Sequence, residues 1–106
     1  MELQKGLARS LRLIRKAKGI AQEHLSEVAS RAYLSEIERG VKSPTLRKLD
    51  ALAKALGVHP LTLISIAYLP YLREQDFISL HDRVAKESVA LLKNANLVVP
   101  RKARTK

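Results

Sequence analysis

Gly19, Gly40 and Gly57 each close a stretch of apolar residues spaced three and four apart, and Pro44 and Pro60 stand where the next stretches open. Gly just past a periodic run and Pro at the first position of another are the stop and start signals of helices. The chain is therefore cut into short helices, and short helices hold together only when neighbours cover their apolar stripes. The first is expected over residues 4–18, with Leu3, Leu7, Leu11 and Ile14 on one stripe. A second over 22–28 turns Leu25, Val28 and Ala29 inward. Ser30 is a good N-cap for a third over 31–39, with Leu34 and Ile37 buried and Arg31, Ala32, Ser35, Glu36 and Arg39 outward.

Ser43-Pro44 reads as an N-cap followed by the first residue of a fourth helix, with Leu46, Leu49, Leu52, Ala53 and Leu56 inward. Pro60 opens a fifth carrying Leu61, Leu63, Ile64 and Ala67, which Pro70 should break. A sixth over about 73–94 sets Phe77, Leu80, Val84, Leu91 and Ala95 on one face. No alternating strand pattern competes and no internal repeat is visible, so the expected class is all-α.

The 106 residues suit one domain, 46% of them are hydrophobic, and only 4% are aromatic with no Trp, so the core must be aliphatic. The absence of Cys removes disulfides, thiolate zinc sites, iron–sulfur clusters and thiol nucleophiles. His24, His59 and His81 are far apart and lack a second ligand at metal spacing, so neither a metal nor a cofactor is expected. No GxGxxG, HExxH, P-loop or CxxC pattern is present, which speaks against an enzyme. No small-molecule site is evident.

Twenty Lys and Arg against ten Asp and Glu give a net charge of +10, which draws a small domain to polyanions. Residues 1–64 hold 12 basic and 6 acidic groups, 65–100 hold 4 of each, and the last six residues add Arg101, Lys102, Arg104 and Lys106. The attraction thus belongs to the first two-thirds and the tail, and the neutral stretch between them is better suited to meeting protein. The longest run free of Asp, Glu, Lys, Arg and His, residues 60–72, falls short of the roughly 20 a membrane helix needs. Arg9, Arg12 and Arg15 interrupt the first apolar stretch, so no signal peptide is read. The basic residues are spread over several short helices, which argues against a membrane-surface role. A soluble, cytoplasmic, nucleoid-associated protein is expected.

Two short helices joined by a tight turn, the second showing polar and basic residues outward, suit a reader of the DNA major groove. That groove is about 12 Å wide and admits one α-helix, whose first turn comes nearest the base edges. Arg31, Ala32 and Ser35 fall in those reading positions.

Here the sequence resembles the Cro/phage-repressor-like (XRE) helix-turn-helix DNA-binding proteins. The resemblance covers about residues 7–64 and rests on Leu11-Arg12-Leu13-Ile14-Arg15, Gln22-Glu23-His24-Leu25, and Tyr33-Leu34-Ser35-Glu36-Ile37-Glu38-Arg39-Gly40. Lys42-Ser43-Pro44-Thr45-Leu46 and Leu52-Ala53-Lys54-Ala55-Leu56-Gly57-Val58 complete it. It implies a five-helix lambda-repressor-like domain followed by an amphipathic helix. It also implies a phosphate-clamping role for Gln22, base reading by Arg31, Ala32 and Glu36, and a structural ion pair between Arg15 and Glu38. Two departures stand out: the stretch from Leu25 to Ile37 is two residues shorter than the usual pattern, and Ala29-Ser30 replaces the customary turn Gly. Both would re-aim the recognition helix. Ala21 stands where a Ser or Thr cap is usual, a loss near 1 kcal/mol, which suggests that the uncapped amides and Gln22 meet a phosphate instead.

Several positions keep two readings. Arg31 can bond guanine or a phosphate, and Ala32 can touch a thymine methyl or simply be exposed. Glu36 can accept from cytosine N4 or pair with Arg39 or Arg31, and Tyr33 can reach a phosphate or pack over the helix junction. Arg39, Lys42, Ser43 and Thr45 are placed toward the phosphates, the last three at the start of the fourth helix, where amides and positive charge suit an anion. Glu23 and Glu27 are either a solvated face or, as in some relatives, a contact for RNA polymerase.

Phe77, Leu80, Val84 and Leu91 are expected at a dimer interface, since reading a palindrome takes two recognition helices about 34 Å apart. The division expected is a DNA-binding domain over 1–69, an oligomerisation segment over 70–97 and a basic flexible tail over 98–106. The function expected is a sequence-specific transcription regulator, a repressor binding double-stranded DNA as a homodimer or higher oligomer. The alternative is an antitoxin that masks a toxin and represses their shared operon.

Overall fold

The computed structural model describes residues 3–69, 71 and 73–97. It divides into two compact units, Met1–Leu72 and Arg73–Lys106. The first contains α1 (Leu3–Ala17), a single 3₁₀ turn (Gln22–Leu25), α2 (Arg31–Glu38), α3 (Leu46–Leu56) and α4 (Pro60–Tyr68). The second contains α5 (Glu74–Asn94). Among the described residues every regular element is helical, as the sequence predicts.

In the first unit α1 packs against α4 and α2, and α4 also meets α3. Leu11, Leu25, Leu34, Ile37, Leu52, Leu56 and Leu63 are fully enclosed, with Ile14, Ala29, Leu49 and Ala53 around them. Each large aliphatic side chain removed from water contributes about 1.5–3 kcal/mol. Polar ties close the ends of the elements. The buried Ser10 hydroxyl donates to the Leu63 carbonyl at 2.6 Å, and Arg9 donates to the carbonyls of Ile66 and Leu69 as α4 runs out. Gln4 Nε2 donates to the Gly40 carbonyl at 2.6 Å and so joins the start of α1 to the end of α2.

Helix ends fall where the sequence puts them wherever Gly is the signal. Gly40 has φ +77°, a left-handed conformation that costs Gly nothing, and the Val41 amide reaches back to the Glu36 carbonyl at 2.9 Å. Gly19 ends α1 in the same way at φ +68°, with the Ile20 amide on the Arg15 carbonyl. α4 stops at Tyr68, and Leu69 is extended as expected of a residue that precedes proline.

Three expectations need correction. The second helix is not a helix over 22–28 but one 3₁₀ turn followed by looser turns. The Val28 and Ala29 amides both return to the Leu25 carbonyl at 3.0 Å, and Ser30 must already be extended to cap α2. Second, the cap of the fourth helix is Thr45 and not Ser43. Thr45 Oγ1 accepts from the Lys48 amide at 3.1 Å, whereas the Ser43 hydroxyl donates to Gln4 Oε1 at 3.0 Å. Residues 41–45 stay irregular because they carry the chain from the end of α2 to α3. Third, Leu46 is 82% exposed, since it is the first residue of α3 and points off its open end.

α5 of the second unit has no buried residue. Phe77 and Leu80 are half-buried, whereas Val84 and Leu91 are exposed. The basic end expected to be a flexible tail, residues 98–106, lies outside the described residues, as does Pro70.

Candidate nucleic-acid interface

α2 is held from behind by a buried carboxylate. Glu38, at its last turn, is only 4% exposed and takes a two-pronged ion pair from Arg15 of α1: Nε to Oε2 at 2.7 Å and Nη2 to Oε1 at 2.9 Å. Gln22 Nε2 adds a third donor to Oε1 at 3.1 Å, and Arg12 donates to the Glu38 main-chain carbonyl. Arg15 also donates to the Ile20 carbonyl at 3.0 Å. Hydrogen bonding to Glu38 raises the Arg15 pKa above the ordinary arginine range despite the desolvation that opposes it. The structural ion pair that the family resemblance implies is present.

This cluster ties α1, the 3₁₀ turn and α2 into one rigid piece, because each partner loses a charged hydrogen bond if it moves. Gln22 is thereby fixed at the head of the turn through its side-chain amide rather than left free. Ala21 supplies no side-chain cap, and its own amide donates to His24 Nδ1 at 3.1 Å.

The opposite side of α2 is open. Ser30 caps it by accepting from the Tyr33 amide at 3.1 Å, while Leu34 and Ile37 point into the core. Arg31, Ala32 and Arg39 are exposed, and Ser35 and Glu36 are half-buried. The Arg31 side chain, 71% exposed, lies 3.6 Å from Glu23, a solvent-screened pair worth little. Glu36 pairs with Lys42 at 3.2 Å, and thus with neither Arg39 nor Arg31. Gly40 makes this contact available by turning the chain back beside α2.

Tyr33 packs on the core with its ring between two ammonium groups, Lys42 Nζ at 5.9 Å and Lys48 Nζ at 5.7 Å from its centroid. Lys48 donates to the Val28 carbonyl at 2.6 Å, pinning the turn before α2 to α3. Ser26, Ala29, Ser30, Tyr33, Thr45 and Lys48 line an open groove of about 520 Å³ beside α2. Lys48 is the residue that sequence reasoning missed. Its signal was its place three residues after the Thr45 cap, where a helix start offers amides to an anion.

Arg31, Ala32, Tyr33, Arg39, Lys42 and Thr45 thus share the exposed side of one unit, with Gln22 at its edge through the Glu38 cluster. Ser43 is on the same connection but hydrogen-bonded to α1. No group of three His, Cys, Asp or Glu side chains at metal spacing occurs among the described residues, and no single described helix is long and apolar enough to cross a membrane.

The model of the helix-turn-helix family matches residues 11–63, half of the chain. The chain belongs to the XRE-type helix-turn-helix family. This helix-turn-helix protein is accordingly a non-enzymatic, DNA-binding transcription regulator whose partner is double-stranded DNA. It is 36% identical over 67 residues to an uncharacterized HTH-type transcriptional regulator, y4dJ, of Sinorhizobium fredii (strain NBRC 101917 / NGR234). That alignment covers 61% of this helix-turn-helix chain and 87% of the relative. No solved structure matches it significantly.

Proposed function

We propose that this regulator binds a palindromic operator as a dimer, with α2 of each copy in the major groove. Arg31, Ala32, Ser35 and Glu36 meet base edges, and Gln22, Tyr33, Arg39, Lys42, Ser43 and Thr45 serve the phosphates. Residues 1–69 form the DNA-binding part, 70–97 the oligomerisation segment, and the basic residues of 98–106 add contacts that carry no sequence information.

One observation carries this reading: α2 is locked on its inner side by Leu34, Ile37 and the Glu38 cluster while Arg31, Ala32 and Arg39 stand open on its outer side. A rigid rod of eight residues with Arg31 at its start and Arg39 just past its end fits a groove that admits one helix. Glu23 faces Arg31, so the acidic patch available to RNA polymerase shrinks toward Glu27.

Footprinting of the full chain on operators selected from random DNA tests the reading. Protection of two inverted half-sites about one helical turn apart is the expected result. Protection of a single half-site, or uniform coating of the DNA, contradicts it. A chain that becomes dimeric only with a second protein would support the antitoxin alternative instead.

A further inference from the structure

Arg31 opens α2 and Glu23 is the second residue of the 3₁₀ turn, so their ion pair bridges two elements. Both sides of the bridge are held in place. Ser30 caps α2 through the Tyr33 amide, and the turn is anchored by buried Leu25 and by Gln22 on Glu38. Across this junction Arg31 Nη1 lies 3.6 Å from Glu23 Oε2. Hydrogen bonding to Glu38 leads the rise in the Arg15 pKa, and the charge of Glu23 adds to it, so Glu23 acts on a second guanidinium of the site. Glu27, four residues on, is exposed and pairs with no cation among the described residues.

A guanidinium presents five N–H donors in a planar fork. With a carboxylate beside Nη1, Arg31 keeps donors for a further acceptor. Duplex DNA offers two kinds, the O6/N7 edge of guanine and the phosphates. The guanine edge is neutral, so Arg31 can bond it and keep Glu23 beside it. A phosphate is an anion, and a guanidinium drawn onto it leaves Glu23 facing the backbone charges alone. Water screens the pair in the free protein, and docking on DNA removes that water and enlarges the difference between the two choices. A pair that adds little to folding thereby counts in the choice of acceptor.

We infer that Glu23 is a specificity-determining residue, which positions Arg31 for the guanine edge and opposes its use on phosphates. This role rests on the reading above that α2 meets base edges, and it names the base that the first residue of α2 takes. Glu23 acts through Arg31 and touches no base itself.

A double-mutant cycle in the full-length chain tests it, with wild type, Glu23→Gln, Arg31→Ala and the two together. Each is titrated with the selected operator, with that operator changed at the base pair that Arg31→Ala relaxes, and with random duplex. Glu23→Gln is expected to lose about two- to fivefold in discrimination at that pair and to bind random duplex more tightly by a similar factor. With Arg31→Ala already present, Glu23→Gln should leave discrimination at that pair unchanged. Glu27→Gln removes the same charge without an Arg31 partner, and it should keep full discrimination. Because the Glu23–Arg31 pair is exposed, the Glu23→Gln chain should fold as the wild type does, which a denaturant melt checks.

Full discrimination in Glu23→Gln, with Arg31→Ala still losing it, overturns the role of Glu23 and leaves α2 as the base reader. An equal loss in Glu27→Gln overturns it too, since charge anywhere on the turn would then suffice. So does a relaxed base pair other than G·C. Unchanged preferences in Arg31→Ala overturn both this role and the base reading by α2.

Discussion

Gln22 donates its side-chain amide to Glu38 Oε1 at 3.1 Å, the same oxygen that takes Arg15 Nη2 at 2.9 Å. The residue at the head of the turn is therefore aimed by a buried carboxylate at the end of the recognition helix. Whatever Gln22 touches, it touches from a position fixed relative to α2.

Gln22→Ala should act in two places. Loss of one donor to a buried carboxylate costs about 1–2 kcal/mol of stability, read as a lower midpoint in urea. Loss of a phosphate contact should weaken specific and non-specific DNA alike, read by titrating both. Weakening confined to one base position would contradict the phosphate role.

Glu38→Ala should be far more damaging than any exposed charge deletion. It leaves Arg15 largely enclosed and unpaired, and breaking a buried pair from one side costs about 3–5 kcal/mol. Glu23→Ala, which removes only the exposed partner of Arg31, should cost under about 1 kcal/mol. Arg15 has its pKa raised on folding, so its contribution is fully present below the ordinary arginine range and is lost only above it. From this group stability should be flat between neutral and moderately alkaline pH, which thermal melts across that range would show.

Thr45→Ala should lower stability by about 1 kcal/mol, and Ser43→Ala by less, because only Thr45 satisfies an amide of the first turn of α3. Denaturant melts of the two variants rank them directly. The reverse order would return the cap to Ser43.

These two residues show where sequence reasoning reaches and where it stops. Gly19, Gly40 and Gly57 were legible because a left-handed stop is cheap for Gly and costly for other residues. Leu34 and Ile37 were legible because helical spacing fixes an inner face, and the Arg15–Glu38 pair through the family pattern. Ser43 and Thr45 could not be separated, since both carry a hydroxyl beside Pro44 and the choice depends on Gln4, far away in the chain. Lys48 reaching Val28, and Lys42 reaching Glu36, depend on how the chain folds back on itself. The 3₁₀ turn in place of a second helix was not legible, because the Val28 and Ala29 amides both return to the Leu25 carbonyl and Ser30 is already extended to cap α2.

Leu80→Arg with Val84→Arg should convert the full-length chain to monomers. Two charges placed on an apolar face between helices oppose burial strongly. Light scattering gives the mass, and a dimer that persists would remove α5 from the interface.

Affinity for DNA should fall steeply with salt, with a log–log slope steeper than about −2, as several phosphate contacts require. Titrations at three or more salt concentrations measure it.

The most direct measurement is base preference at every operator position for the wild-type chain and for Arg31→Ala, each selected from random duplexes. The account predicts that the variant loses about 1–3 kcal/mol of discrimination at one base pair in each half-site and keeps its preferences elsewhere. An unchanged preference at every position would mean that the outer face of α2 is not what reads the DNA.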